Sequence, residues 1–324
     1  MTGLIDVDDA AADAASTIED QMSSYSASLS SSVVDYPTQC GRRYHAFRAG
    51  AYVFPNDESE MERLDICHAL LVKTIGNKLF LAPIDKAKTF QILDVGTGTG
   101  IWSIEMGDIF PDAEIVGNDL SPIQPAWVPP NVKFEIDDIE SEWIGEKKYD
   151  FIFSRYLSGS LADWPTYVRR VYENLNPGGW AEFQDWSFEL YSDDGTLEGT
   201  TMQHWMKLFM EACDVFKRDA KVGLKLESLV SENTGLVNVF HKGFKIPAGP
   251  WPKDAHLKDI GMCNQIQMLD GLEGFSLRLF CGGLNWTEEQ VVTLMKGVRE
   301  ELKSGKVHAY LHYNVVYGQK PESA

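Results

Sequence analysis

The chain of 324 residues lacks any apolar run near the roughly 20 residues that a membrane-spanning helix needs, so we expect no membrane contact. Its N-terminus is acidic and alanine-rich, without the basic and apolar regions of a secretory signal. The five cysteines are odd in number and dispersed, which fits neither a disulfide framework nor a zinc site. Reduced thiols indicate the cytoplasm or the nucleus. The cysteines are Cys40, Cys67, Cys213, Cys263 and Cys281.

Basic residues are also scarce, with 29 Lys and Arg against 48 Asp and Glu and a net charge of −19. Nucleic-acid affinity depends largely on Lys and Arg that displace counterions, so this balance argues against a nucleic-acid partner. Residues 1–35 contain no Lys or Arg and include a serine-rich stretch. They bury too little to offset their ordering entropy, and we expect a disordered tail that is either solvated or in contact with protein partners.

An apolar strand that ends in an acid and a glycine-rich turn is the most informative motif of the chain. Residues 91–100 read QILDVGTGTG. Glycines let the backbone approach a ligand closely, and the following helix presents unpaired N–H groups. A second apolar strand ends at Asp119, 19 residues after Gly100, a spacing at which a carboxylate accepts hydrogen bonds from both ribose hydroxyls. The motif predicts a nucleoside cofactor.

Two residues of this motif distinguish the candidate cofactors. A dinucleotide fingerprint keeps its third position small, whereas Ile101 occupies that position here. Asp94 would repel a pyrophosphate, but it suits the cationic amino group and sulfonium of S-adenosylmethionine. We therefore favour S-adenosylmethionine, with S-adenosylhomocysteine as its product, over a nicotinamide dinucleotide; a structural turn with a buried aspartate is the alternative. The candidate cofactor-binding residues of this region are Asp94, Gly96, Thr97, Gly98, Gly100, Asp119 and Leu120.

Further candidates follow the third and fourth strands. Asp138 is placed to accept a hydrogen bond from an adenine amino group while Ile139 packs on the base, although Asp138 equally fits a solvated loop. Arg155 and Tyr156 follow the fourth strand, where the cleft of a parallel sheet opens. Arg155 is a cofactor-binding candidate, and Tyr156 either faces the reacting methyl group or packs in the core.

No metal-ligand cluster or covalent nucleophile motif is evident, and we assign no metal. A sulfonium methyl group is already activated, so the enzyme must bind the cofactor, align the acceptor and exclude water. If the acceptor must lose a proton, histidine is the natural base. Each histidine is more readily explained as structural, and Trp102, Trp186 and Trp205 fit either an acceptor pocket or the core. The candidates for catalysis are His45, His204 and Tyr156, with His68 and His241 further histidines by position alone.

The apolar pattern alternates strands and helices, which is typical of a parallel sheet covered by helices on both faces. Ahead of it we predict a helix over residues 58–78, and behind it a helical region over 196–235. Thr287 opens a capping box and a further helix, which runs to about Lys303. The predicted strands are 91–96, 114–119, 132–137, 149–155, 180–186, 236–246 and 308–317, and the core helices are 100–109 and 162–175.

Several motifs together resemble the class I S-adenosylmethionine-dependent methyltransferases of filamentous fungi, and among them the LaeA-like group. The likeness covers roughly residues 33–321 and extends well outside the glycine turn. The motifs are DVGTGTGIW (94–102), NDLSPIQP (118–125), VPPNV (128–132), LNPGGW (175–180), GRRYH (41–45), PNDE (55–58), RLD (63–65), GPWPKD (249–254) and VYGQKP (316–321).

The resemblance implies an α/β, Rossmann-like fold with a seven-strand sheet whose last strand is antiparallel. It also implies that Tyr44 lies near the cofactor. The tail would be residues 1–35 and the methyltransferase domain residues 36–324. Within that domain we expect a helical lid at 41–85, the cofactor-binding core at 86–190, a substrate cap and strand at 196–286, and a terminal helix and strand at 287–321.

For function, the resemblance implies transfer of a methyl group to an oxygen, nitrogen or sulfur atom of a small-molecule fungal secondary metabolite by in-line displacement. The alternative is a nuclear regulator of secondary metabolism that acts through protein partners, with the acidic tail as contact surface. A nicotinamide-dependent oxidoreductase is disfavoured by Asp94 and Ile101. The sequence leaves the acceptor molecule and the oligomeric state open.

Overall fold

The computed structural model describes residues 35–48, 52–144 and 147–322. The predicted tail of residues 1–35 lies outside the described residues apart from Asp35. The described part begins with a short antiparallel hairpin, and its other strands form one mixed sheet. In chain order the strands are β1 (Thr38–Gln39), β2 (Arg42–Arg43), β3 (Gln91–Val95), β4 (Glu114–Asp119), β5 (Val132–Ile136), β6 (Tyr149–Arg155), β7 (Leu175–Tyr191), β8 (Val237–Pro247) and β9 (Tyr310–Gln319).

The mixed sheet has seven strands in the order β5, β4, β3, β6, β7, β9, β8. Strands β3 to β7 pair in parallel, whereas β9 runs antiparallel to both β7 and β8. The predicted seven-strand sheet with an antiparallel last strand is therefore confirmed. Since β4 lies on one side of β3 and β6 on the other, the strand order reverses there, and a crevice opens at the carboxyl ends of these strands.

Alternate side chains of the central strand β6 pack into two different apolar clusters, one on each face of the sheet. Ile152 packs with Val168 and Val230, whereas Phe151 and Phe153 pack with Trp102 in the opposite cluster. None of the helices in the described part of the chain is long and apolar enough to span a membrane. The helices are α1 (Glu58–Thr74), α2 (Ile101–Ile109), α3 (Trp164–Asn174), α4 (Thr201–Val215), α5 (Leu226–Asn233), α6 (Ala255–Gly283) and α7 (Glu288–Ser304).

Helix α6 is the longest helix described, and the sequence patterns did not predict it. Its glycines lower the intrinsic helix propensity, yet they allow close packing. A Cβ on Gly261 would lie 2.1 Å from the carbonyl oxygen of Gly249, and one on Gly271 would lie 2.9 Å from Cδ of Arg63. Tertiary packing against α1 and the chain after β8 therefore outweighs the local preference. Helix α7 begins with the capping box predicted at Thr287.

Two buried carboxylates of β7 hold irregular chain segments that lie outside the sheet. Glu182 accepts hydrogen bonds from the backbone N–H groups of Leu81 and Ala82 at 2.8 and 2.6 Å. Asp185 accepts from the N–H groups of Leu157 and Ser158, which follow β6, at 2.8 and 3.0 Å. Burial raises the pKa of each carboxyl to about 7, because the charged form is desolvated.

These raised pKa values predict that the protein loses stability as the pH rises. Between about pH 4, where unfolded carboxyls titrate, and pH 7, the folded chain keeps protons that the unfolded chain releases. The free energy of unfolding, measured by urea titration, should therefore fall from pH 5.5 to pH 8. In Asp185→Asn the fall should be smaller, and the variant should be less stable by about 1–3 kcal/mol because a buried N–H loses its acceptor.

Asp112→Asn is the matched control, because it removes the same charge from an exposed position. It should keep the pH dependence of the wild type. An unchanged pH dependence in Asp185→Asn would contradict the assignment of the effect to this carboxyl.

Candidate active site

A cleft of about 140 Å³ lies at the carboxyl ends of β3, β4 and β6, where the strand order reverses. The glycine turn and Asp119 form its floor. Helix α1 supplies Leu64, Cys67, His68 and Leu71 to its lining. The predicted cofactor motif and the N-terminal helix therefore meet in one concave site.

The glycine turn has a left-handed backbone at Gly96, Gly98 and Gly100, with φ values of 70°, 58° and 81°. A Cβ on Gly98 would make only an ordinary contact with Leu64, 3.8 Å away, so the left-handed backbone rather than lack of space favours glycine there. Gly100 has a different role. A Cβ there would lie 2.3 Å from the ring of Phe134 on β5, and Gly100 caps α2 rather than lining the cleft.

Asp94, at the end of β3, lines the cleft and is only 4% exposed. Its Oδ2 accepts hydrogen bonds from the hydroxyls of Thr97 and Ser103 at 2.6 and 2.7 Å. Burial raises the pKa of Asp94, while these two hydrogen bonds and the charge of Arg155 act in the opposite direction. Its Oδ1 accepts no hydrogen bond within the described residues, so one oxygen remains available to a ligand.

Asp119 ends β4 and presents its carboxylate to the cleft beside the turn. Its Oδ2 accepts from the N–H of Gly98 at 2.9 Å, and its Oδ1 accepts from the N–H of Ser121 at 3.0 Å. Burial raises the pKa of Asp119 to about 6, so the carboxylate is mainly ionised at neutral pH. Each oxygen has a second lone pair, and the carboxylate is able to accept further hydrogen bonds from a ligand.

Arg155 is the last residue of β6 and lines the cleft, where its guanidinium is hydrogen-bonded to His68 of α1. Its Nη2 donates to Nδ1 of His68 at 2.7 Å, and Nε2 of His68 contacts Oε2 of Glu105 at 3.1 Å. A guanidinium only donates, so Nδ1 must be unprotonated and Nε2 must carry the proton. The other terminal nitrogen, Nη1 of Arg155, is buried and has no hydrogen-bond partner among the described residues. The cleft therefore contains an unsatisfied cationic donor.

Asp138 and Ile139 line the end of the cleft beyond β5. Asp138 is 7% exposed, and its Oδ2 accepts from Nη1 of Arg48 at 2.6 Å. The alternative of a solvated loop carboxylate is therefore wrong, because burial and the ion pair remove Asp138 from bulk water.

Tyr156 lines the cleft at the end of β6 and has a strained backbone with φ of 64°. Its hydroxyl accepts from Nη1 of Arg63 at 3.2 Å. Arg63 is itself 1% exposed, forms a buried ion pair with Glu60 and donates to Oε1 of Gln267 on α6 at 2.9 Å. Burial raises the pKa of Tyr156 well above its ordinary value, so the phenol is neutral.

The structure brings most of the predicted site residues together. Leu120 lines the cleft together with Thr97 and the residues described above. The side chains of Tyr44, His45, His204 and His241 do not line it, and His241 contacts Glu227 and Asn314 instead. Tyr44 is buried beneath the guanidinium of Arg278, His45 contacts the carbonyl oxygen of Arg48, and His204 is exposed on α4 near Trp286.

Several contacts at the site were not predicted from the sequence. Nε2 of Gln124 donates to the carbonyl of Gly98 at 2.7 Å and stabilises the turn, and Thr99 donates to Asp65 of α1 at 2.7 Å. The NDLSPIQP motif contains Gln124, but only the fold brings it to the turn. The described residues contain no cluster of His, Cys, Asp and Glu suited to a metal ion.

Comparisons with known proteins show what the chain is similar to. A family described as a methyltransferase domain matches residues 42–239. The methyltransferase pytC of Aspergillus terreus is 46% identical over 91% of this chain and 91% of its own length. The secondary metabolism regulator LAE1 of Cochliobolus heterostrophus is 35% identical over 87% of this chain and 94% of its own. A solved phosphoethanolamine N-methyltransferase 2 of Haemonchus contortus with S-adenosyl-L-methionine has 16% identity and a TM-score of 0.47, covering 80% of this chain and 52% of its own.

The contacts of His68 predict that it stays neutral in mildly acidic solution. Burial and the neighbouring charge of Arg155 lower the pKa of His68 to about 3, far below its ordinary value of about 6.5. Long-range ¹H–¹⁵N spectra should show the Nε2–H tautomer from pH 8 to pH 5. In Arg155→Gln the pKa of His68 should rise, whereas Glu105→Gln, which keeps a hydrogen-bond acceptor, should preserve the neutral ring. Protonation of wild-type His68 near pH 6 would contradict the arrangement.

Proposed function

The chain belongs to the class I S-adenosylmethionine-dependent methyltransferases, within the group that contains the fungal LaeA-like proteins, and on this premise we propose its reaction. It transfers a methyl group to an oxygen, nitrogen or sulfur atom of a small-molecule fungal secondary metabolite by in-line displacement. The observation that carries the proposal is the juxtaposition, in one cleft, of the glycine turn, Asp119 and the unsatisfied Arg155.

The residues of the cleft fit S-adenosylmethionine, which supplies a methyl group already activated on a sulfonium when bound. In our proposal the carboxylate of Asp119 accepts the ribose hydroxyls, and the free Oδ1 of Asp94 accepts from the cationic amino group. Nη1 of Arg155, buried without a partner, pairs with the carboxylate of the amino-acid end.

The remaining contacts of the cofactor would be made by the turn backbone and by the far end of the cleft. Gly96, Thr97 and Gly98 would approach the amino-acid end closely, with Leu120 beside the ribose. Asp138 and Ile139 would contact the adenine, with Asp138 held by Arg48. These assignments follow from the positions of the residues along the cleft.

The chain's own task in the transfer is to position the acceptor and to keep water out. Tyr156 borders the cleft with a neutral phenol whose hydroxyl is already bound by Arg63. Both ring nitrogens of His68 are engaged, by Arg155 and by Glu105, which leaves it no free lone pair. We therefore propose transfer to an acceptor atom that is nucleophilic in itself or loses its proton to solvent.

We also propose a function for each segment of the chain. Residues 36–324 form the methyltransferase domain, in which 41–85 close over the cofactor, 86–190 hold it, 196–286 shape the acceptor site and 287–321 complete the sheet. The contacts of α1 and α6 with the residues around Tyr156 support the roles of the first and third segments.

A second candidate function is regulation of secondary metabolism through protein partners. The likeness to LAE1, whose name describes such a regulator, favours it. In that case the acidic residues 1–35 would contact a partner, and the protein would act in the nucleus rather than in the cytoplasm.

Cofactor recognition is tested by two variants that act on different parts of one ligand. Calorimetry should show that S-adenosylmethionine and S-adenosylhomocysteine bind and that NAD does not. Asp119→Asn should weaken both S-adenosylhomocysteine and 5′-methylthioadenosine several-fold, because both ligands carry the ribose. Arg155→Gln should weaken only S-adenosylhomocysteine, because 5′-methylthioadenosine lacks the carboxylate.

Each variant is thus the control for the other. Equal losses for both ligands in Arg155→Gln would overturn the carboxylate assignment. Tight binding of NAD without binding of either sulfur ligand would overturn the proposed function.

The enzyme and the regulator are separated by incubating the protein with methyl-labelled S-adenosylmethionine and an extract of its host. The label should appear in a small molecule, and Asp119→Asn should reduce the yield several-fold through weaker cofactor binding. Label that remains in the cofactor, together with stable capture of a protein partner, would favour the regulator instead.

A further inference from the structure

A second cavity lies beside the cofactor cleft, and the two share one wall residue, Tyr156. Aromatic and other apolar side chains from β7, α4, α6 and β9 form most of its lining. Its side chains are those of Tyr156, Trp186, Phe188, Trp205, Met206, Phe209, Asn264, Gln267, Met268, Phe275 and Leu311.

The side chain of Tyr156 separates this cavity from the cofactor cleft. Its ring meets Trp186 and Phe188 edge-on, with ring centroids 6.3 and 6.1 Å apart. Its left-handed backbone is unfavourable for an aromatic residue, and such strain is found at sites that bind or switch. The cavity holds about 20 Å³ in this conformation, room for about one water, so a ring-sized guest requires Tyr156 to move.

None of the residues that line this cavity carries a formal charge. The two amides already have partners, because Gln267 donates to Asn264 at 2.7 Å and Asn264 donates to the carbonyl of Pro247 at 2.8 Å. Nε1 of Trp205 donates to Ser276 at 2.8 Å. The guanidinium of Arg63 lies behind the lining, against Gln267 and Phe275, but it is already paired with Glu60. An ion entering this cavity would therefore lose its hydration without gaining an unpaired counter-charge, which is costly.

One polar atom of the lining is unsatisfied. Trp186 is 1% exposed, and its buried Nε1 has no hydrogen-bond partner in the part of the chain that the structure describes. A buried donor without an acceptor costs about 1–3 kcal/mol, so its presence needs an explanation. A ligand oxygen that accepts from this N–H would remove the cost.

We propose that this aromatic cavity is the acceptor subsite, and that it takes an uncharged, ring-bearing part of the acceptor. The indole N–H of Trp186 donates a hydrogen bond to a hydroxyl or carbonyl oxygen on that part. The side chain of Tyr156 moves to connect the cavity with the cofactor cleft. The inference rests on the proposed methyl transfer and narrows its acceptor to neutral aromatic or other unsaturated ring compounds. Phosphorylated, carboxylated and ammonium-bearing head groups are excluded from the subsite.

The test uses four single-ring probes that differ only in their polar group: phenol, benzene, benzoate and benzylammonium. They are titrated into protein that carries ¹³C-labelled methionine methyl groups and is saturated with S-adenosylhomocysteine. The methyl signals of Met206 and Met268 are assigned with the variants Met206→Leu and Met268→Leu. Phenol and benzene should shift both methionine methyl signals. Benzoate and benzylammonium should bind at least about tenfold more weakly, because the one charge against the lining, Arg63, is already paired with Glu60 and neither probe finds an unpaired counter-charge.

The variant Trp186→Phe removes the N–H and keeps an aromatic ring. It should weaken phenol about fivefold, the effect of one net hydrogen bond of about 1 kcal/mol, and should change benzene binding much less. Benzene thereby controls for any change in cavity shape, and S-adenosylhomocysteine titration controls for folding. The charge comparison in the wild type needs no variant and tests the subsite even if Trp186→Phe does not fold.

Two results would overturn the inference. One is that the methyl signals of Met206 and Met268 stay unshifted at saturating concentrations of phenol and benzene. The other is that a charged probe binds as tightly as phenol. Failure of S-adenosylhomocysteine to bind the wild type would instead refute the proposed function, and it is measured separately from the probes.

Discussion

The buried positive charge of Arg63 holds together the three parts of the protein that form the site. It pairs with Glu60 within α1, donates to the hydroxyl of Tyr156 after β6 and donates to Gln267 of α6. Removing one partner of a buried ion pair costs about 3–5 kcal/mol, because the remaining charge cannot return to water. The N-terminal helix, the sheet edge and the long helix are therefore held in the arrangement that satisfies this guanidinium.

Buried carboxylates perform the corresponding task for backbone segments outside the regular strands. Asp119 accepts from the glycine turn, Asp185 from the two residues that follow Tyr156, and Glu182 from the segment before β3. Each carboxylate therefore fixes the position of an irregular segment by accepting hydrogen bonds from N–H groups that have no partner in the sheet. Asp119 retains lone pairs for a ligand, and so a residue that stabilises the turn is also suited to bind the cofactor.

The cofactor side of the site was predictable because its signals are local. A strand end, its glycine turn and the acid of the next strand lie at fixed offsets, and the parallel sheet brings Asp94 and Asp119 to one edge whatever the rest of the chain does. The sequence could not show that Phe134, on another strand, leaves no room for a Cβ at Gly100, and the predicted cofactor contact of Gly100 stays a prediction. His45 and His204 were proposed from residue type and position along the chain, and neither specifies which surface a side chain faces.

The sequence by itself therefore determined the alternation of strands and helices, the cofactor class and the family, since these follow from periodicity, from short motifs and from residues close together along the chain. Only the tertiary structure decided which side chains surround the acceptor. Trp186, Gln267 and Phe275 come from elements that are distant along the chain. Helix α6 forms despite its glycines because these glycines allow it to pack closely against α1, and that packing stabilises the helix. Contacts between distant elements depend on the shapes and charges of both partners, and no local pattern records them.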